Sequence, residues 1–393
     1  MNNLLKCLLV FCLFLVPKIS FSKTFIKLEN QKALKSFLIK YPNSKLIHKS
    51  LLWVLVKEPL AEFQLTNVSR IEKEKNYRIS NAKTPLNPKL WGMEREKVSE
   101  VWNRGLTGEG IVVAVVDTGV NYEHLGLSKN IWVNALEKNG KPGVDDDGNG
   151  FTDDVYGWDF YNYDNNPADD HSHGSHVAGT VAGYDKSINF YGVAKNAKIM
   201  SIKSHNKSGN GTEEAVVRSI LYAADNGADV INCSWGGAPE AGERSELLLD
   251  AINYANEKGA VVVAAAGNES SDNDVTASYP ANYQTDNLIS VASIFKNGKL
   301  SYFSNYGANT VHIAAPGSNI YSVRYTGGYT HMSGTSMAAP FISGAAALIA
   351  EKLSREGLAK RPLDIREVMI NEGKHTPELG NTTIGGEINL DGL

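Results

Sequence analysis

What most limits the folds open to this chain is a trio of short, glycine-flanked segments met in the order carboxylate, imidazole, hydroxyl. They read Val116-Asp117-Thr118-Gly119, His173-Gly174-Ser175-His176-Val177-Ala178-Gly179 and Gly334-Thr335-Ser336-Met337-Ala338-Ala339-Pro340. A serine hydroxyl is a poor nucleophile until an imidazole removes its proton. That imidazole needs a carboxylate to fix its tautomer and stabilise its charged form. The small residues around each candidate let backbones approach closely. Alone, each segment is ambiguous. An Asp-Thr-Gly turn also serves paired catalytic aspartates, but no second Asp-Thr/Ser-Gly occurs here. His171, His173 and His176 lack the His-Glu-x-x-His arrangement of a zinc helix, and no acidic residue stands between His173 and His176. Ser336 is not set in a Gly-x-Ser-x-Gly elbow.

Together the three segments resemble the subtilisin-like serine proteases (subtilases) over roughly residue 85 to the C-terminus. The resemblance implies Asp117, His173 and Ser336 as a catalytic triad. It also matches Ala264-Ala265-Ala266-Gly267-Asn268 to the segment whose side-chain amide stabilises the oxyanion, which gives Asn268 a catalytic role. Ser336 is expected to open a helix, so that its own N–H is a donor without an intrahelical partner. Pro340 is expected within that first turn, where a missing N–H costs little. Ser234, Trp235 and Gly236, with Gly209 and Gly211, resemble the two edge segments that grip an extended peptide by strand addition. Glu269 and Ser278 are expected beside the P1 pocket, with Glu269 suiting a basic P1 residue. His205 stands where a leucine is usual near the P2 pocket, and His171 is expected to line the cleft. His176 is expected to pack inside.

Residues 1–22 read as a signal peptide: Lys6, an apolar run from Leu8 to Val16, then small residues at Ser20 and Ser22. That run is too short for a bilayer, and no later segment is long and apolar enough to span one. Cys7 and Cys12 lie in the signal, which leaves Cys233 alone and the mature protein without an internal disulfide. Export is expected, to the periplasm or the medium, with stability from core burial and bound metal and not from covalent cross-links.

The formal net charge of −4 hides an asymmetry. Residues 23–82 hold 12 Lys/Arg against 5 Asp/Glu, while residues 83–393 hold 25 against 38. The acidic body argues against nucleic acid as a partner. The charge break implies two pieces that attract each other. Residues 23–82 read as a small βαβ-type unit, with strands at 24–28 and 51–56 and a helix over 31–41. By resemblance this α+β unit is a propeptide, an intramolecular inhibitor whose last strand lies near Tyr77-Arg78-Ile79-Ser80 and is cut within 79–85. Residues 83–393 read as the catalytic domain. Its β-branched run Ile111–Val116, its further strands at 228–233, 259–266 and 288–294, and its helices at 173–183, 213–226 and 246–258 imply an α/β fold. The sheet is doubly wound and mostly parallel with helices on both faces, its site at the strands' carboxyl ends.

Asp145-Asp146-Asp147-Gly148-Asn149-Gly150-Phe151-Thr152-Asp153-Asp154 has oxygen donors at the spacing of an EF-hand or dockerin loop. Asp145, Asp147 and Asn149 come first, then the Phe151 carbonyl and Asp153. Tyr156 replaces the final glutamate, so Asp154 or a distant carboxylate must complete the shell. Calcium in a structural role is the expected cofactor. The second acidic stretch, Asp164, Asp169 and Asp170, is less specific. The whole reads as a secreted, monomeric serine endopeptidase of broad specificity that processes itself and acts on polypeptides through an acyl-enzyme. The alternatives are a narrow processing protease and a catalytically silent subtilase that serves as a secreted binding protein.

Overall fold

The computed structural model describes residues 23–57, 67–78, 90–237 and 244–393. The expected signal peptide 1–22 and the processing region 79–85 lie outside the described residues.

Apolar strands buried on both faces build the N-terminal unit. Four antiparallel strands stand in the spatial order Lys45–His48, Trp53–Val56, Thr24–Leu28, Val68–Lys73. Successive side chains on a strand face opposite ways. Ile26, Leu28, Val54 and Val56 therefore pack on Ala33, Leu34 and Phe37 of the helix Gln31–Lys40. Phe25, Trp53 and Leu55 face the other way and join the core of the large body. The βαβ expectation is corrected: strands 24–28 and 53–56 are antiparallel. The reason is the strand Lys45–His48, too short to read from sequence, which turns the chain back before residue 53.

The body is built on seven parallel strands. Their order is Ile313–Pro316, Leu288–Ile294, Val261–Ala265, Val230–Cys233, Val112–Asp117, Lys198–Lys203, Gly157–Asp159. The sheet is covered on both faces, which explains its unbroken Val/Ile runs. Val113 and Val115 contribute to the core with the helices His173–Ala182 and Thr335–Arg355. Ala114 and Val116 contribute to the core with the helices Glu213–Asp225 and Glu246–Glu257. Strand order reverses beside Val112–Asp117, so a crevice opens at the carboxyl end of that central strand. Asp117 is its last residue.

The basic unit docks on the acidic pair of helices. Lys45 Nζ lies 2.8 Å from Glu214, Lys23 Nζ 3.4 Å from the same carboxylate, and Lys27 pairs with Asp250. Trp53 Nε1 also donates to Asp250 at 2.9 Å. Glu72 accepts from the Glu246 N–H at 3.0 Å and so caps the helix Glu246–Glu257, whose N-terminal dipole favours an anion. Partly exposed ion pairs contribute about 0.2–1 kcal/mol each. Burying Phe25, Trp53 and Leu55 contributes about 1.5–3 kcal/mol apiece. The apolar face therefore supplies most of the grip, and the charges set orientation. Among the described residues no helix is long and apolar enough to cross a membrane.

Candidate active site

Three elements converge at the crevice. Asp117 ends the central strand fully buried, and its carboxylate accepts from the Thr118 N–H at 2.7 Å. His173 opens the helix His173–Ala182, and its Nδ1 lies 2.8 and 2.9 Å from the two Asp117 oxygens. Burial pushes the Asp117 pKa up, but the facing imidazole of His173 outweighs that and holds it lowered. The carboxylate thus stays ionised and fixes a proton on Nδ1, leaving Nε2 as the basic face of the ring. His173 Nε2 is buried with no hydrogen-bond partner.

Ser336 is the second residue of the helix Thr335–Arg355, so its backbone N–H has no intrahelical acceptor. Its hydroxyl donates to the Ser234 carbonyl at 2.8 Å. The return bond is also made: Ser234 Oγ donates to the Ser336 carbonyl at 2.9 Å. Pro340 accounts for the second bond. It lies inside the helix, at the sixth residue and not in the first turn as the sequence suggested. Lacking an N–H, it leaves the Ser336 carbonyl without its usual i+4 donor, and the Ser234 hydroxyl takes that place. The strand end at Ser234 and the helix start at Ser336 are therefore cross-tied.

Asn268 follows the strand Val261–Ala265. Its side-chain oxygen accepts from Thr335 N at 2.8 Å and from Thr335 Oγ1 at 3.1 Å. With the carbonyl end so fixed, the amide NH2 faces away from Thr335. Asn305 braces this turn, accepting from Glu269 N at 2.9 Å and donating to Glu269 Oε2 at 3.0 Å. A hollow beside Ser336 is lined by Trp235, Gly236, Gly237, Gly267, Glu269 and Ser278, which brings four of the expected substrate residues to one wall. Gly209 and Gly211 lie in the opposite segment. There Asn210–Thr212 pairs antiparallel with Asn76–Arg78 of the N-terminal unit, Gly211 opposite residue 77.

Several residues that matter to this geometry were not legible beforehand. Asp169 accepts from Thr118 Oγ1 at 2.9 Å, from the N–H groups of His171 and Ser172 at 2.8 and 3.1 Å, and from Ser175 Oγ at 2.6 Å. It thereby joins the end of the Asp117 strand to the start of the His173 helix. Asp170 instead pairs with the buried Lys203 at 2.6 Å. His176 packs inside, with Nε2 2.9 Å from the Ile320 carbonyl, and burial drops its pKa to about 3. The His171 ring lies 6.3 Å from that of His173.

In the acidic loop, Asp147 and Asp154 come together with Glu137 of the helix Ala135–Asn139, their oxygens within 4.8 Å of one another. Asp145 and Asp153 are not in that cluster. Asp145 accepts from the N–H groups of Gly148 and Gly150 at 2.8 Å, and Asp153 accepts from Gly143 N at 2.8 Å. Asn149 Nδ2 donates to Asp147 and to Asp154, at 3.0 Å each. The Phe151 ring packs against Trp158 and Tyr222. Burial raises the Asp154 pKa to about 6, and Asp147 adds to the rise. Three converging carboxylates, one of them strained in its ionised form, fit a hard divalent cation such as calcium.

Comparison with known proteins gives this geometry a setting. Residues 108–385 match the subtilase family. Thermitase of Thermoactinomyces vulgaris is 38% identical over 274 residues, covering 68% of this chain and 86% of thermitase. Subtilisin DY of Bacillus licheniformis is 37% identical, covering 67% and 84%. Subtilisin-like protease 2 of Plasmodium falciparum is 31% identical across 90% of this chain, which spans only 24% of that larger protein. Among solved structures, a cold-adapted subtilisin-like serine proteinase superposes with a TM-score of 0.55 at 31% identity, covering 72% of this chain and 88% of that one. A mutant epidermin leader peptide processing serine protease from Staphylococcus aureus superposes with a TM-score of 0.74 over 94% and 97% of the two chains, a likeness of fold at 23% identity.

Proposed function

The chain belongs to the subtilase family, and from that premise we propose that it is a serine endopeptidase whose triad is Asp117, His173 and Ser336. The observation that carries the reading is the buried Asp117–His173 pair, 2.8 Å apart, at the mouth of a cleft where Ser336 opens a helix. In the reaction, Ser336 Oγ turns from the Ser234 carbonyl toward His173 Nε2, which takes its proton as the hydroxyl attacks a peptide carbonyl. The imidazolium is stabilised by Asp117. The oxyanion is held by the Ser336 N–H and the Asn268 side-chain NH2. His173 then protonates the leaving amine, an ester to Ser336 remains, and water admitted to the same base hydrolyses it.

The protein is made with a signal peptide over 1–22 and exported to the periplasm or the medium, and it works as a monomer. Residues 23–82 are an inhibitory propeptide, which the strand pairing of 76–78 with 210–212 supports. Residues 83–393 are the catalytic domain. Ser234, Trp235 and Gly236 on one side, with Gly209 and Gly211 on the other, bind extended polypeptides of broad sequence. The Glu269 carboxylate on the pocket wall suits a basic residue before the cut bond. Calcium is held by Glu137, Asp147 and Asp154, with Asn149 and the neighbouring loop oxygens of Asp145, Phe151 and Asp153 available to it. It neutralises the acidic loop and takes no part in the chemistry.

Ser336→Ala is expected to abolish both peptide hydrolysis and the release of residues 23–82, and the wild type to be labelled at Ser336 by a fluorophosphonate. A Ser336→Ala protein that still processes itself in a protease-deficient host would show the nucleophile to lie elsewhere.

A further inference from the structure

A carboxamide lies where the central sheet calls for an aliphatic side chain. Asn232 stands in the strand Val230–Cys233, level with Val115 on one neighbouring strand and Val263 on the other. Both valines belong to the core shared with the helix Thr335–Arg355. Asn232 is fully buried among these strands. Taking a carboxamide out of water is destabilising unless its hydrogen bonds are remade inside, so the partners it finds are informative. Its oxygen accepts from Ser343 Oγ at 2.8 Å, and its Nδ2 donates to Ser234 Oγ at 2.9 Å.

These bonds form a closed path. Ser343 lies in the helix Thr335–Arg355, and its hydroxyl reaches across to the strand instead of back to the carbonyl four residues earlier. From Asn232 the path runs to Ser234 Oγ, which donates to the Ser336 carbonyl at 2.9 Å and so returns to the same helix. Ser343, Asn232, Ser234 and Ser336 are all fully buried. The direction of the bonds is fixed by what each group can offer. A carboxamide nitrogen only donates, and a hydroxyl has one proton. Ser234 Oγ accepts from Asn232, so its proton is left for the Ser336 carbonyl, the group that Pro340 deprives of its i+4 donor. A carboxamide turned the other way would present its oxygen to that proton and compete for it.

We propose that Asn232 is a positioning residue for the nucleophile. Acting through the Ser234 hydroxyl, it holds the carbonyl of Ser336 and with it the piece of backbone from which Ser336 Oγ swings to His173. Ser343 keeps the carboxamide facing the right way. The inference rests on the protease reading and adds to it a residue that touches neither substrate nor triad side chain.

The test is a double-mutant cycle on the matured enzyme: wild type, Asn232→Leu, Ser234→Ala and the pair, with kcat counted per site titrated by a fluorophosphonate. Asn232→Leu and Ser234→Ala are each expected to lower kcat about three- to ten-fold, the value of one satisfied hydrogen bond. KM is expected to stay unchanged, since the reacting hydroxyl and not the grip on the peptide is disturbed. The pair is expected to match Ser234→Ala alone, because Asn232 acts only through that hydroxyl. A core that is merely looser would lower the number of titrated sites and leave turnover per site alone. Ser234→Ala with the wild-type kcat overturns the assignment whether or not Asn232→Leu folds, and so do losses that multiply in the pair. Where Asn232→Leu does not fold, Ser343→Ala takes its place. It is expected to lower kcat about two-fold and to have no effect once Ser234 is alanine, and any other pattern overturns the assignment. A wild type that neither takes up the label nor cleaves peptide removes the protease reading, and this inference with it.

Discussion

Two contact regions of this molecule are built on opposite plans. The N-terminal unit meets the body through lysines on carboxylates, several of them partly exposed. Lys27 and Asp250 keep 32% and 24% of their side-chain exposure, and Lys45 keeps 39% opposite a buried Glu214. The seam that joins the Asp117 strand, the His173 helix and the Ser336 helix has almost no exposure. Asp117, His173, Ser234 and Ser336 are all at 0%. Charges at a wet surface are screened by salt and answer to pH. Buried hydrogen bonds do neither, and leaving one unmade costs more than making it contributes. Salt and pH therefore loosen the polar part of the first region, whose remaining grip is apolar, and leave the second intact.

The sharpest way to probe this contrast is to damage the seam's chemistry without its packing. With Asn268 as the proposed oxyanion donor, Asn268→Ala should lower kcat by on the order of 10²–10³-fold, the usual cost of such a donor in serine proteases. Binding of residues 23–82, supplied as a separate chain, to residues 83–393 carrying Ser336→Ala should be unchanged by gel filtration. A variant with normal kcat would remove Asn268 from the site.

A second probe lies in a third place, the acidic loop. Stripping calcium with a chelator should lower the melting temperature by several degrees, as loss of a ligand bound only to the folded state requires. Glu137→Gln should reduce that shift, since Glu137 belongs to the carboxylate cluster. A melting temperature that ignores both chelator and substitution would leave the loop a hydrogen-bonded turn without an ion.

The smallest effect is expected at the docked face itself. Glu213 is buried there and accepts from the Lys75 N–H at 2.8 Å. Burial raises its pKa from 4.5 to about 7. A raised carboxyl pKa means that the docked state holds the proton more tightly. Its contribution is complete below about 4.5 and is lost as pH climbs through about 7. Association of separately supplied residues 23–82 with residues 83–393 carrying Ser336→Ala should therefore weaken by about 1–1.5 kcal/mol between pH 6 and pH 9, and added salt should deepen the loss. Glu213→Gln should flatten the pH response. An affinity that rises toward alkaline pH would contradict the sign.

The sequence was most legible where chemistry is local. Asp117, His173 and Ser336 each sit in a short run that marks them as a set, and the apolar character of 24–28 and 53–56 is written residue by residue. It was opaque where a role depends on chain return. Asp169 is one acidic residue among several until Thr118 and Ser175 fold against it. Glu137 lies outside the acidic loop and enters the cluster only because its helix turns back on it. Pro340 reads as a harmless helix-start proline until the helix is seen to begin at Thr335, and only then does the Ser234 hydroxyl acquire a reason. The strand Lys45–His48 alternates weakly, so the hairpin that makes the N-terminal sheet antiparallel left little trace.

That proline has a consequence for how disturbance spreads. With the carbonyl of residue 336 fastened to the hydroxyl of residue 234, and the hydroxyl of 336 to the carbonyl of 234, two pieces of chain 102 positions apart behave as one rigid part. A push on the strand end at residue 234 reaches the hydroxyl oxygen of residue 336 across a single side chain, with no flexible loop between to absorb it.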